Sequence, residues 1–560
     1  MFGAELGDGK AVFSLWAPDI SEAKLKILGG LEYQMEKKET GWFKLSADGI
    51  GERALYFFVV DGKSIPDPAS KYQPNGIHGP SALVSPDYPW SDGEWEGLDK
   101  EQLVIYEIHT GTFSPEGTFS GIASKLDYLR NLGVTAIELM PVSQFPGSRG
   151  WGYDGVYPFA VQNSYGGPTA LKSLVDAAHR AHLGVILDVV YNHVGPEANY
   201  MQSLGPYFSK KYRSPWGLSF NFDDSGCDEV RRMVLENLQF WIRDFHIDGF
   251  RLDAVQAIVD NSPRHILEDI ADTVHREGKL VIAESDLNDP RIVNSKELCG
   301  YGIDSQWLDD FHHSIHSLLT GERAGYYSDF GSLAHLVKSY QKAFVYDGQY
   351  STFRKKTHGS PVDPQGCRFI VYIQNHDQVG NRGSGDRLST ILDTQGYMLA
   401  GAASILSGYI PMLFMGEEYG ERNPFYYFSD FSDPQLIEGV REGRRRENSQ
   451  VNDPQSESTF LASKLSWVQD QSVMSFYREL LKARKVYMGG CHGSRNLTWG
   501  EGWFTVAIDE LYTIYALFDT PVEIAQAGTL LVASNSSFPE IIGTGRVRIK
   551  KGVGVYKISG

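Results

Sequence analysis

Between residues 103 and 420 the chain repeats one pattern eight times, and that repetition constrains the fold more than any other feature. Short apolar runs end in polar residues: LVIYEIH (103–109), TAIELMPV (135–142), GVILDVVYNH (184–193), DGFRLDAV (248–255), KLVIAESD (279–286), YGIDSQWLDD (301–310), FIVYIQNHDQ (369–378) and IPMLFMGEEYG (410–420). Segments of helical periodicity lie between them. DEVRRMVLENLQFWIRDFH sets Val230, Val234, Leu238, Trp241 and Phe245 on one stripe. In SPRHILEDIADTVHREG, Ser262 is the expected N-cap, Pro263 the first helical residue and Gly278 the stop. Eight strands alternating with helices predict an α/β fold, a (β/α)8 TIM barrel.

The barrel is expected over 96–490, with large loop insertions. Before it, residues 1–95 carry VFSLWAP and ALYFFVV among turn residues, and predict an N-terminal β-sandwich. After it, residues 491–560 carry WFTVAI, LYTIYALF and TLLVAS, and predict a C-terminal β-sandwich.

DGFRLDAV poses the functional question. Phe250 and Leu252 suit a core, yet Arg251 and Asp253 interrupt them. Side chains alternate along a strand, so Arg251 and Asp253 share one face and Phe250 and Leu252 the other. In a barrel, the charged pair then points inward near the strand's C-terminal end, where barrel active sites lie. Taken alone, the pair could equally be a structural ion pair. Other strand ends are polar too: Glu284, Asp377 beside His376, and Asp188, Asn192 and His193. Two carboxylates on neighbouring strand ends suit glycoside hydrolysis, in which one is a nucleophile and the other an acid and then a base. Arg251 favours an ionised Asp253, and a less solvated Glu284 could keep its proton.

DVVYNH, DGFRLDAV, VIAES and IQNHD, in that order and spacing along the chain, resemble the four conserved regions of the α-amylase superfamily, glycoside hydrolase family 13. The resemblance implies Asp253 as nucleophile, Glu284 as general acid/base and Asp377 as a third carboxylate holding sugar hydroxyls. It implies that His193, Arg251 and His376 bind the sugar in subsite −1, that Tyr153 is an aromatic platform beneath it, and that Asp188 braces Arg251. More narrowly, residues 141–168, FMGEEYGERNPFYYFSDF (414–431) and ESDLNDPR resemble the maltooligosyltrehalose trehalohydrolases. That family cleaves the α-1,4 bond next to a terminal trehalose unit, on a substrate made by maltooligosyltrehalose synthase. Trp151, Phe425, Tyr426, Tyr427 and Phe428 could stack on sugars or simply pack loops. Asp430 and Glu417 could hydrogen-bond the aglycone sugars. A glucan-branching transglycosylase and a non-catalytic glucan-binding barrel are the alternatives; the second predicts a missing carboxylate, and all three are present.

The net charge of −18 disfavours nucleic acid and anionic membranes as partners and fits a neutral substrate. The N-terminus lacks the pattern of a signal peptide and no run is long enough for a transmembrane helix, so a cytoplasmic protein is expected. Cys227, Cys299, Cys367 and Cys491 form no CxxC pair; four free thiols are expected, with Cys299 the most exposed. His312 and His316 have helical spacing, and Asn192 resembles a calcium ligand of many α-amylases, yet no metal and no cofactor are expected. REGRRREN (441–448) reads as a solvated helix face. Oligomeric state stays open, a homodimer included.

Overall fold

The computed structural model describes residues 1–7, 10–491, 495–525, 528–535, 538–543 and 546–558. Its centre is a closed barrel of eight parallel strands: β1 (Ile105–Ile108), β2 (Ala136–Leu139), β3 (Gly184–Val189), β4 (Gly249–Leu252), β5 (Leu280–Ala283), β6 (Ser305–Trp307), β7 (Phe369–Val371) and β8 (Ile410–Phe414). Each falls inside one of the eight apolar runs. The strands alternate as their sequences require. Ile105, Ala136, Ile186, Ile282, Trp307, Ile370 and Met412 pack together inside the barrel. Ile137, Leu187, Phe250, Leu252, Val281 and Val371 join the larger core that includes the surrounding helices.

Before the barrel lie two antiparallel sheets. One has the order Gly3–Gly7, Lys10–Trp16, Trp42–Asp48, Glu36–Lys37; the other is built on Ala23–Ile27 and Leu55–Val60. Phe13 of the first meets Tyr56 of the second edge-on, ring centres 5.0 Å apart, as facing layers of a sandwich do. After the barrel, five strands including Trp503–Ile508 and Leu511–Ala516 form one sheet, and Val522–Ala525, Arg546–Ile549 and Glu540–Gly543 another. Ile514, Ile524, Val547 and Tyr556 fill the space between them.

Two expectations change. Cys367 and Cys491 form a disulfide, their Cα atoms 5.3 Å apart, so only Cys227 and Cys299 are free. Cys367 directly precedes β7, and Cys491 packs against the Ile105–Ile186–Met412 layer, so the bridge closes the lower end of the barrel. The helix expected from Ser262 begins later, at Ile266, capped by His265, whose Nδ1 accepts from the Leu267 amide. Residues 262–264 bend ahead of the helix, with the Ser262 hydroxyl donating to the Phe222 carbonyl.

Among the described residues no helix is long and apolar enough to cross a membrane. His312 Nδ1 donates to the Ile373 carbonyl, its Nε2 hydrogen-bonds the Tyr327 hydroxyl, and His316 pairs with Glu322. Burial lowers the pKa of both rings.

Candidate active site

Arg251 is the hub. It lies at the inner face of β4 in register with Asp188 of β3, and its side chain is fully buried. One terminal nitrogen, Nη1, donates to Asp188 at 2.6 Å and to Asp253 at 3.0 Å; the other, Nη2, donates to Glu284. The Trp307 ring lies against the guanidinium, 4.3 Å from ring centre to Cζ. A planar cation with separate donor faces can hold carboxylates from β3, β4 and β5 at fixed angles, which an ammonium cannot do.

Asp253 stands one residue past the end of β4, where the ladder no longer constrains its side chain. Asn192 donates to its Oδ2 at 2.6 Å and to its carbonyl at 2.8 Å. The Asn192 amide oxygen in turn accepts from His193 Nδ1. The next residue, Ala254, has left-handed backbone (φ 40°), an uncommon conformation for a side-chain-bearing residue. That turn aims the Ala254 amide at Glu284 Oε2, 3.0 Å away. Burial raises the Glu284 pKa well above the usual range, helped by the charges of Asp253, Asp377 and Asp309 and opposed by Arg251. The site therefore holds three carboxyls on one cation, of which Glu284 favours its protonated form.

Opposite them, Asp377 opens the short helix His376–Gly380 after β7, and a capping box between Asn375 and Gln378 fixes the turn. His376 Nε2 lies 2.9 Å from the Tyr153 hydroxyl, and the two rings stack with centres 5.3 Å apart. Tyr153 also donates to Asp188 at 2.6 Å. Burial alone would lower the His376 pKa, but Asp377 and Glu107 raise it to about 9, so the ring is a cation at neutral pH. Burial pushes Asp188 up to about 6 against the pull of Arg251, and lowers His193. Gly152 permits the loop carrying Tyr153: its φ is 105°, and a Cβ there would come 2.2 Å from the Pro141 carbonyl oxygen.

The structure thus brings Asp188, His193, Arg251, Asp253, Glu284, His376, Asp377 and Tyr153 to one end of the barrel. The aromatic segment behaves differently. Trp151 is buried, stacked on Phe425 at 5.3 Å with its indole N–H donating to the Tyr426 carbonyl; Phe425 and Phe428 are fully buried. These rings pack the 421–431 loop behind His376 instead of offering a face to solvent. Tyr426 remains half-exposed. Asp430 accepts from Ser148 and pairs with Arg149 at 2.9 Å, which ties two loops together. Glu417 is buried between Phe414, Gln374 and Tyr477, with its pKa raised by burial to about 8.

Sequence reasoning missed Glu107 and Glu138, both fully buried inside β1 and β2 and paired in register. Glu107 binds His376 through Nδ1 at 2.5 Å and through its amide at 3.0 Å. Their signal, a carboxylate within an apolar strand, is the one that singled out Arg251.

The sequence family described as alpha amylase, catalytic domain, matches residues 83–216 and 224–487, and the family alpha-amylase, C terminal, matches 491–557. A Malto-oligosyltrehalose trehalohydrolase of Saccharolobus solfataricus is 58% identical over 559 residues, 100% of each chain. The chain belongs to the α-amylase family, within its malto-oligosyltrehalose trehalohydrolase branch. Another enzyme of that name, from Rhizobium sp. (strain M-11), is 43% identical over 85% of each chain. A crystal structure of an alpha-amylase-like protein from Salmonella typhimurium superposes with a TM-score of 0.91 at 36% identity, covering 100% of this chain and 99% of that one. A glucan branching enzyme of Corynebacterium jeikeium is more distant, 29% identical over 62% of this chain. As a family member the protein is a glycoside hydrolase.

Proposed function

We propose that the protein hydrolyses the α-1,4 bond beside the terminal trehalose of maltooligosyltrehalose, with retention, releasing trehalose and a maltooligosaccharide. The carrying observation is that Asp253 and Glu284 flank one guanidinium, in a chain 58% identical over its full length to a trehalohydrolase. Glu284 gives its proton to the glycosidic oxygen as the Asp253 carboxylate attacks C1. The C1–O bond breaks, trehalose leaves with that proton, and a glycosyl ester of Asp253 remains. Glu284, now a carboxylate, takes a proton from water; the hydroxide oxygen bonds to C1 and frees Asp253.

The surroundings supply the electrostatics. Arg251 and Asn192 hydrogen-bond the Asp253 carboxylate and hold it aimed. Burial keeps the proton on Glu284 until the leaving oxygen approaches. Asp377, His193 and His376 hold hydroxyls of the sugar in subsite −1, Tyr153 lies beneath its ring, and Asp188 braces Arg251. Maltooligosyltrehalose synthase supplies the substrate, and the enzyme works in the cytoplasm.

Product analysis tests the reading. Free trehalose should appear from maltooligosyltrehalose much faster than any product from plain maltooligosaccharide. Absence of trehalose together with new α-1,6 linkages from amylose would instead identify a branching transferase. Asp253→Asn and Glu284→Gln should each lower the rate by at least about 10²–10⁴ while leaving substrate binding largely intact.

A further inference from the structure

The helix Pro434–Asn448 contains the basic run, and one of its arginines is not a solvated cation. The Arg444 guanidinium lies 4.4 Å from the centre of the Tyr427 ring. Its Nη2 donates to the Gly380 carbonyl at 2.6 Å, its Nη1 to Asn381 Oδ1 at 2.7 Å and its Nε to Gln450 at 3.2 Å. No carboxylate pairs with it directly among its hydrogen bonds. Asn448, one turn on, donates to the Asn381 carbonyl at 2.9 Å.

These contacts decide how Asn381 is oriented. A guanidinium only donates, so Asn381 must turn its amide oxygen toward Arg444. Its amide nitrogen is then left facing the other way, and there it donates to Asp377 Oδ1 at 3.0 Å. Among the described residues the Asp377 carboxylate has one further ion-pair contact, His376 Nε2 at 3.6 Å, and its side chain is about a third exposed, at 36%. A cation, an amide and a carboxylate therefore stand in line, with the amide polarised from both ends.

We propose that Arg444 is a positioning residue for the hydrolytic reaction: acting through the Asn381 amide, it fixes the orientation of the Asp377 carboxylate. This makes the 421–466 insertion part of the site's machinery and not merely a cover. The inference rests on the proposed role of Asp377 in holding substrate.

The test is a double-mutant cycle on the full-length enzyme with maltooligosyltrehalose. Arg444→Ala and Asn381→Ala should each lower kcat/KM by roughly 10- to 100-fold, the loss expected for one hydrogen bond to a charged group. The double variant should be no worse than the poorer single one, because both act through one link. Arg444→Lys should recover part of the loss. Asn381→Asp keeps the bond to Arg444 but sets an anion against Asp377, so its loss should exceed that of Asn381→Ala at neutral pH and shrink as pH falls. Melting curves identify any variant that misfolds; Asn381→Asp and Arg444→Lys change the least volume and carry the test if Arg444→Ala does not fold. Multiplicative losses in the cycle, or kcat/KM within twofold of wild type in Arg444→Ala, would overturn the inference. Asp377→Asn separates the two failures: near-normal turnover there would remove the underlying role of Asp377, whereas a large loss there beside an indifferent Arg444→Ala would remove only the relay.

Discussion

Replacing Glu107 by glutamine should change how the fold responds to alkali. His376 is buried, and burial favours its neutral form, yet Asp377 and Glu107 lift its pKa from 6.5 to about 9. A folded-state value above the unfolded one means that the protonated ring stabilises the fold. That contribution is fully present below pH 6.5 and is lost as pH rises through 9. The difference corresponds to about 3 kcal/mol. Glu107 accepts from both the ring and the amide of His376, so its removal deletes one of the two anions and leaves burial and Arg251 acting against the charge. Glu107→Gln should then show less than about half the wild-type loss of stability between pH 6.5 and 9. Thermal unfolding at several pH values in that window, followed by circular dichroism, measures the slope. Equal slopes in the two proteins would refute the reasoning, because His376 would then titrate without regard to Glu107.

Three further outcomes are expected. Glu138 is fully buried with one oxygen unpartnered, and burial together with Glu107 and Asp188 raises its pKa, so it is a neutral acid. Glu138→Gln should keep kcat/KM within about threefold, whereas Glu138→Ala should destabilise by roughly 1–3 kcal/mol, read by denaturant titration. Cys367→Ser/Cys491→Ser opens a loop with a sequence separation of 124. The unfolded chain then gains freedom, and the melting temperature should fall by an amount equivalent to at most about 4–5 kcal/mol, with reductant reproducing the shift in the wild type. Trp307→Leu removes the ring against Arg251 and leaves a cavity inside the barrel, so it should lower kcat/KM by about 10-fold and lower stability by roughly 2–4 kcal/mol, read by denaturant titration.

The barrel was legible because each strand announces itself by an apolar run that ends in polar residues. The runs overshoot the ladders: residues 248–255 read as one strand, but β4 ends at Leu252. The overshoot has a physical cause. Asp253 and its neighbours continue the strand's sequence pattern while leaving its hydrogen bonding, and that release is what lets them serve the site. Arg251 and Asp253 were readable from alternation alone. Glu107 and Glu138 followed the same rule, each the third residue of a four-residue strand as Arg251 is, but the pattern gives no hint of a neighbour across the barrel. The aromatic loop stayed open between two readings because stacking on sugar and stacking on Phe425 demand the same residues; only the position of Trp151 beneath its neighbours separates them. The Cys367–Cys491 bond was beyond sequence reasoning, since pairing depends on a Cα separation that two distant, unpatterned cysteines do not encode.

The same bond has a consequence for the integrity of the molecule. The stretch it brackets contains β7, β8, Asp377 and the whole 421–466 excursion, the segment most open to proteolytic attack at its exposed Val451. A single cut there would sever the backbone but leave the two pieces covalently joined. A nicked molecule would migrate as one band until a reductant released two fragments, and it could go on turning over substrate with a broken chain.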